Sequence, residues 1–168
     1  GLAALLVMAL LGDNAEFEIG VVYLIMQASM AVRLFAAPHV DTSGRREFLV
    51  KWVGFSCICS ALLLVVPALG IWGGPWWAYG LLMVSFAGYF GMQQIGGAAW
   101  WPLLHAFLPS SVRGRYFGNM RRAWQITSFG AVFVAGAVLG EEPTLSRFYL
   151  VLVPGVLLQF GRIAMYRR

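Results

Sequence analysis

Two short polar segments and a few scattered amides hold most of the chemistry in this sequence. Asp41, Gly44, Arg45 and Arg46 stand together in Ala37-Pro38-His39-Val40-Asp41-Thr42-Ser43-Gly44-Arg45-Arg46. About 70 positions downstream, Arg113, Gly114 and Arg115 stand in Pro109-Ser110-Ser111-Val112-Arg113-Gly114-Arg115-Tyr116-Phe117-Gly118. In the first, a carboxylate, a tight turn at Gly44 and two arginines lie within six residues at a helix end facing water. The other set comprises Gln27, Tyr89, Gln93, Gln94, Trp124 and Gln125, side chains that hydrogen-bond a solute or one another.

Neither set makes an enzyme. Asp41-Thr42-Ser43-Gly44 resembles the D-[ST]-G of aspartic proteases but has an extra residue, lies in a basic loop and has no second such motif to partner it. Gly54-Phe55-Ser56-Cys57 falls short of a G-x-S-x-G elbow. His39 and His105 stand near one end of their segments while Ser56 stands about two turns into another, so an intramembrane protease, the best enzyme alternative, lacks its dyad. Two histidines with distant partners do not make a metal site. Cys57 and Cys59, two apart, point to different faces of a helix and read as packing residues. The chain is expected not to be an enzyme, and no cofactor or metal is implied.

The elements that position these residues follow from composition and charge. The chain is 60% hydrophobic and 11% charged, against roughly 25% charged in an ordinary soluble domain. A soluble core of this size could not hide so much apolar surface. The net charge of +5 does not indicate nucleic acid, because the arginines recur at segment ends and form no single patch with interleaved aromatics. Basic clusters lie at 33–51, 113–122 and 162–168, and loops holding only acids lie at 13–18 and 141–142; Arg147 is the one cation out of place. With basic loops on the cytoplasmic side, the chain weaves six times through a bilayer.

A span needs roughly 20 residues, which sets the expected boundaries. A first, truncated span covers 1–11, and the others cover about 19–36, 48–69, 76–108, 112–139 and 145–166. The fourth is long enough to tilt, to project from the membrane or to bend near Gly96 and Gly97, with a projecting inner end preferred. Gly136 and Gly140, with Ala131 and Ala135, make a small-residue stripe that lets another helix approach closely. The sixth is interrupted by Pro154 and Gly155. Gln27, Gln93 and Gln94 fall near the centres of their spans, where an amide faces the bundle interior or a watery cavity. No Asp or Glu falls at mid-depth, so proton coupling is undecided.

The loop between the second and third spans is similar to the cytoplasmic signature of the major facilitator superfamily, roughly G-x-x-x-D-R-x-G-R-R. Asp41, Gly44, Arg45 and Arg46 match it, while Ala37 and Thr42 depart from it. The segment from Pro109 to Gly118 resembles the P-x-x-x-R-G-R-[YF]-F-G of many bacterial members. The resemblance implies an all-α bundle of transmembrane helices, the N-terminal six-helix half of a secondary transporter working by alternating access, over residues 1–168. It implies that Asp41 is a latch, Gly44 its turn, and Arg45, Arg46, Arg113 and Arg115 the charges that lock or release it. The acid that many relatives carry shortly before the second motif's Pro is Ala106 here, beside His105, with Glu47 the nearest substitute.

The resemblance also implies a central cavity, with Gln93 or Gln94 the first candidates for solute contact, Gln27 and Tyr89 beside them, and Trp124, Gln125 and Gln159 behind. Expected partners are the lipid bilayer, a small-molecule substrate and a C-terminal six-helix half in the same chain; both ends read as cut. The expected location is the bacterial cytoplasmic membrane, with loops 37–47 and 109–122 in the cytoplasm, a bacterial source being suggested by eleven arginines against one lysine. A non-transporting six-span protein, acting as a scaffold or homodimer, is the alternative.

Overall fold

The computed structural model describes residues 2–12, 14–40, 44–140 and 143–167, so Asp41 lies outside the described residues. Among these residues the fold is all-helical. Seven α-helices follow in order: α1 Leu2–Leu11, α2 Glu16–Ala36, α3 Arg45–Leu62, α4 Val66–Trp72, α5 Pro75–Phe107, α6 Ser110–Leu139 and α7 Phe148–Arg167, with 3₁₀ turns at Ala37–His39 and Leu145–Arg147.

Proline and glycine punctuate the helices. Gly44, Gly74 and Gly140 have φ of 75°, 101° and 71°, a region open to glycine at little cost. They sit where α3 and α5 begin and α6 ends, and Pro75 opens α5 with the φ a first helical turn needs.

The apolar stretch expected as one span at 48–69 is two helices. Pro67 has no N–H to give Leu63, and its ring disfavours the helical conformation of the residue before it. The chain therefore tightens through three-residue bonds, Leu63 N to Ser60 O, Leu64 N to Ala61 O and Val65 N to Leu62 O, before α4 starts. The fourth span has no break near Gly96 and Gly97, and the interruption expected in the sixth at Pro154 and Gly155 is absent: α5 runs unbroken through Gly96, Gly97 and Pro102, and α7 through Pro154 and Gly155.

Among the described residues, four stretches are long and apolar enough to cross a membrane: Glu16–His39, Arg45–Trp72, Ser110–Leu139 and Leu145–Tyr166. The expected six spans therefore appear as four by this measure. α1, at 10 residues, reaches only about 15 Å at about 1.5 Å per residue. α5 carries no charged Asp, Glu, Lys or Arg, but its Trp, Tyr, Gly and Gln residues dilute its apolar character.

α5 is the centre of the bundle. It packs along α3 and against α2, α4 and α1, while α7 packs on α3. Ser85, Gly88, Gly96 and Ala99 form the small face of α5 that lets α3 come close. A Cβ on Gly96 would stand 3.3 Å from Val53 and 3.4 Å from Trp52, and one on Gly88 would collide with the Cys59 sulfur. The small stripe expected to take a neighbour, on α6, has no helix against it at Gly136, where nothing lies within 4 Å of a built Cβ, and only the Arg147 guanidinium, at 3.2 Å, meets one built at Gly140. α6 stays at the edge, touching α7 and, through Phe117 on Trp101, the end of α5.

Both arginine-glycine turns lie at the same end of the bundle, since Arg45 reaches Pro102 in the last turns of α5 and Arg113 reaches the C-terminus of that same helix. The junctions of α4 and α1 with the 3₁₀ turn at Leu145–Arg147 gather at the other end. Two apolar clusters fill the interior. One joins Leu6, Val22, Leu82, Leu139, Phe148 and Leu152. The other, at the arginine end, joins Ala36, Phe48, Val53, Ala98 and Ala99, flanked by Ile163 and Tyr166.

Candidate functional site

At the arginine end, guanidinium groups meet the ends of helices. A helix leaves its last four carbonyls without intrahelical donors, and a cation there also meets the negative end of the dipole. Arg113, in the first turn of α6, turns its Nη2 back to Leu108 O at 3.0 Å and His105 O at 3.4 Å, closing the end of α5. Arg46 Nε donates to Tyr166 O at 3.1 Å near the end of α7, and Arg45 Nη1 to Pro102 O at 3.4 Å. α3 is thereby tied at its first residues to both α5 and α7. Gly114 is open on all sides and Arg115 is exposed. Arg147, the cation at the opposite end, does the same work there, with Nη1 3.2 Å from Leu139 O at the end of α6.

Midway between the two apolar clusters lies a polar layer. Tyr89 and Gln93 are four apart on α5, and Gln159 and Arg162 are three apart on α7, so each pair shares one helix face. Gln159 Nε2 donates to the Tyr89 hydroxyl at 2.7 Å, and Arg162 Nη1 donates to Gln93 Oε1 at 3.3 Å. Arg162 also donates from Nε to the Tyr166 hydroxyl at 2.7 Å, with its guanidinium 5.1 Å from the centre of that ring. Cys57 on α3 closes the layer, its thiol donating to Gln159 O at 3.4 Å. Two buried atoms in the layer have no partner, Gln93 Nε2 and Gln159 Oε1.

On the side away from the arginine end, the layer opens on a cavity of about 360 Å³. Tyr23, Ser60, Tyr89 and Gln159 give it polar groups, and its walls are apolar, among them Leu82, Phe86, Leu152 and Val156. That volume falls in the range of about 300–1,000 Å³ usual for small-molecule sites, which combine apolar walls with a few polar groups.

The structure thus sorts the expected solute contacts. Tyr89 and Gln93 come together and Gln159, ranked behind them, joins them; Gln94 takes no part. Gln27 is exposed on α2, and Trp124 (74% exposed) and Gln125 line an open groove along α6 with Arg121 and Ser128, apart from the layer. In the sequence Arg162 belongs to a basic cluster that marks a segment end. The signal that identifies it is its spacing of three from Gln159, which puts both on one face. No protein-family model, curated protein or solved structure matches the chain.

Proposed function

We propose that the chain is the N-terminal six-helix half of a secondary transporter of the major facilitator type, moving a small solute across a bacterial cytoplasmic membrane by alternating access. The observation that carries the reading is the meeting of the two arginine-glycine turns at one end of the bundle. An even number of crossings between them is what the resemblance requires. α5 counts as a crossing on this reading, because Trp77 and Trp101 stand 24 positions apart on it, about 36 Å. That is the separation of two interfacial aromatic belts around a hydrocarbon layer of about 30 Å.

In this reading the arginine end is the cytoplasmic gate. Asp41 is the latch, and Arg45, Arg46 and Arg113 hold helix ends whose release accompanies the change of state. The polar layer and its cavity contact the solute. The exposed face of α6, with Trp124, Gln125, Phe129 and Phe133, favours a protein neighbour, either the second six-helix half or, in a scaffold or homodimer reading, another copy.

The test is sidedness followed by alternation. Single cysteines replacing the exposed Glu47 and Ser110, with Cys57 and Cys59 changed to serine, are labelled by an impermeant thiol reagent from the cytoplasmic side alone. Asp41→Asn then shifts the labelling rates of positions lining the cavity. Labelling of the two turns from opposite compartments overturns the transporter reading.

A further inference from the structure

We infer that the polar layer is an anion site, in which Arg162 takes the carboxylate of an amphipathic organic acid whose apolar body lies in the cavity beside Leu82, Phe86, Leu152 and Val156. The inference rests on the transporter reading for its biological sense and names the solute class.

The charge of Arg162 is the first observation. Its Cα stands 14 residues from Phe148, about 21 Å along α7, inside a layer of about 30 Å. An arginine that merely snorkels sends its tip to water. This one spends its donors on Gln93 and Tyr166 and lies over the Tyr166 ring. None of these partners is an anion. α5, α6 and α7 contain no Asp or Glu at all, and Glu47, in the first turn of α3, is at the end of its helix. Arg162 is partly buried, no acid pairs with it among the described residues, and a bound carboxylate supplies a charge-assisted partner.

The second observation is the set of donors around it. Gln93 Nε2 is buried and unpartnered beside the guanidinium, and the Gln93 carbonyl that Arg162 holds at 3.3 Å is its longer contact. A carboxylate that displaces this carbonyl gains a charge-assisted bond and finds a free amide donor next to it. A cationic solute meets repulsion here, and a neutral alcohol leaves the guanidinium uncompensated.

The third is continuity. Gln159 and Tyr89 belong both to the layer and to the cavity wall, which puts Arg162, three residues from Gln159 and not itself in that wall, one helical turn from an apolar chamber.

The test uses the full chain in lipid nanodiscs, with sodium octanoate as the probe and octanol and octylamine as neutral and cationic molecules of the same length. Octanoate raises the thermal unfolding midpoint saturably, and the other two do not. Arg162→Gln raises the half-saturating octanoate concentration about tenfold or more. Gln93→Glu places a carboxylate against Arg162 and abolishes the octanoate response, which decides the question if Arg162→Gln does not fold. Equal responses to octanoate and octanol, or an unchanged octanoate response in either variant, overturn the anion site. No octanoate response with both turns labelled from the cytoplasm sinks the anion site alone; a response with the turns on opposite sides sinks the transporter reading alone.

Discussion

Gln159 on α7 donates a 2.7 Å hydrogen bond to the hydroxyl of Tyr89 on α5, across a seam where both flanking layers are apolar. The bond joins two helices that otherwise meet mainly through α3, since α3 packs on both. It also sets the rotation of each helix: with Tyr89 and Gln159 facing each other, Gln93 and Arg162 face each other one turn further on. Polar side chains thus specify a register that apolar surfaces alone leave undetermined.

Removing one partner of that bond should therefore cost more than removing both. Tyr89→Phe leaves the part-buried Gln159 Nε2 without its acceptor, and Gln159→Leu leaves the phenol without this donor. The double variant exchanges the pair for apolar contact, which is near neutral when the shape fits. A coupling energy of about 0.6–1.7 kcal/mol is expected, the range of hydrogen bonds between membrane helices. Equilibrium unfolding of the four proteins of the cycle in one detergent measures it, and additive single effects would show that the bond does no structural work.

The two arginines of the second basic segment should separate sharply. Arg113→Ala strips the carbonyls of His105 and Leu108 of their donor and should destabilise the fold by about 1–2 kcal/mol, in the range of bonds to a charged group. Arg115 is exposed, and Arg115→Ala should stay within about 0.5 kcal/mol. Thermal unfolding decides, and equal midpoints for the two variants would remove Arg113 from its capping role.

Arg147 should behave as a cap and not as a determinant of orientation. Its guanidinium holds Leu139 O at 3.2 Å, at the end opposite the basic clusters. Arg147→Gln is expected to lower stability by about 1 kcal/mol while leaving the labelling side of Ser110→Cys unchanged. A reversal of sidedness would mean that this charge opposes the orientation set by the others.

Much of the helix layout was legible because charge, glycine and proline mark the ends of apolar runs. The reading of 112–139 and the helix Ser110–Leu139 differ by two residues at one end. The break at 63–65 was missed although Pro67 announces it, since the length of the run fitted one crossing. Which faces meet was far less legible. Helices apolar on nearly every side carry no amphipathic stripe to point inward, so Gln94 ranks with Gln93 in the sequence and Gln159 behind both, yet Gln93 and Gln159 enter the polar layer and Gln94 does not. Arg162 hid among arginines that mark segment ends. The small faces of α5 and α6 look alike in sequence, and only the fold distinguishes the one that is filled.

That distinction gives the last prediction. Gly96 has Val53 and Trp52 at 3.3–3.4 Å from the position of a Cβ, including contact with the α3 backbone at 3.5 Å, so a larger side chain has to push α3 away. Gly96→Leu should cost about 1–3 kcal/mol or more, as overpacking of a filled interior does. Gly96→Ala asks Val53 to give by a few tenths of an ångström and should cost less. Gly136 has open space at the same construction, and Gly136→Leu should leave unfolding of this bundle unchanged. If α6 docks on another helix in the membrane, Gly136→Leu weakens that association in a cross-linking or fluorescence-transfer assay while Gly96→Ala does not. A loss of stability in Gly136→Leu equal to that in Gly96→Leu would instead place a partner of this same bundle against α6.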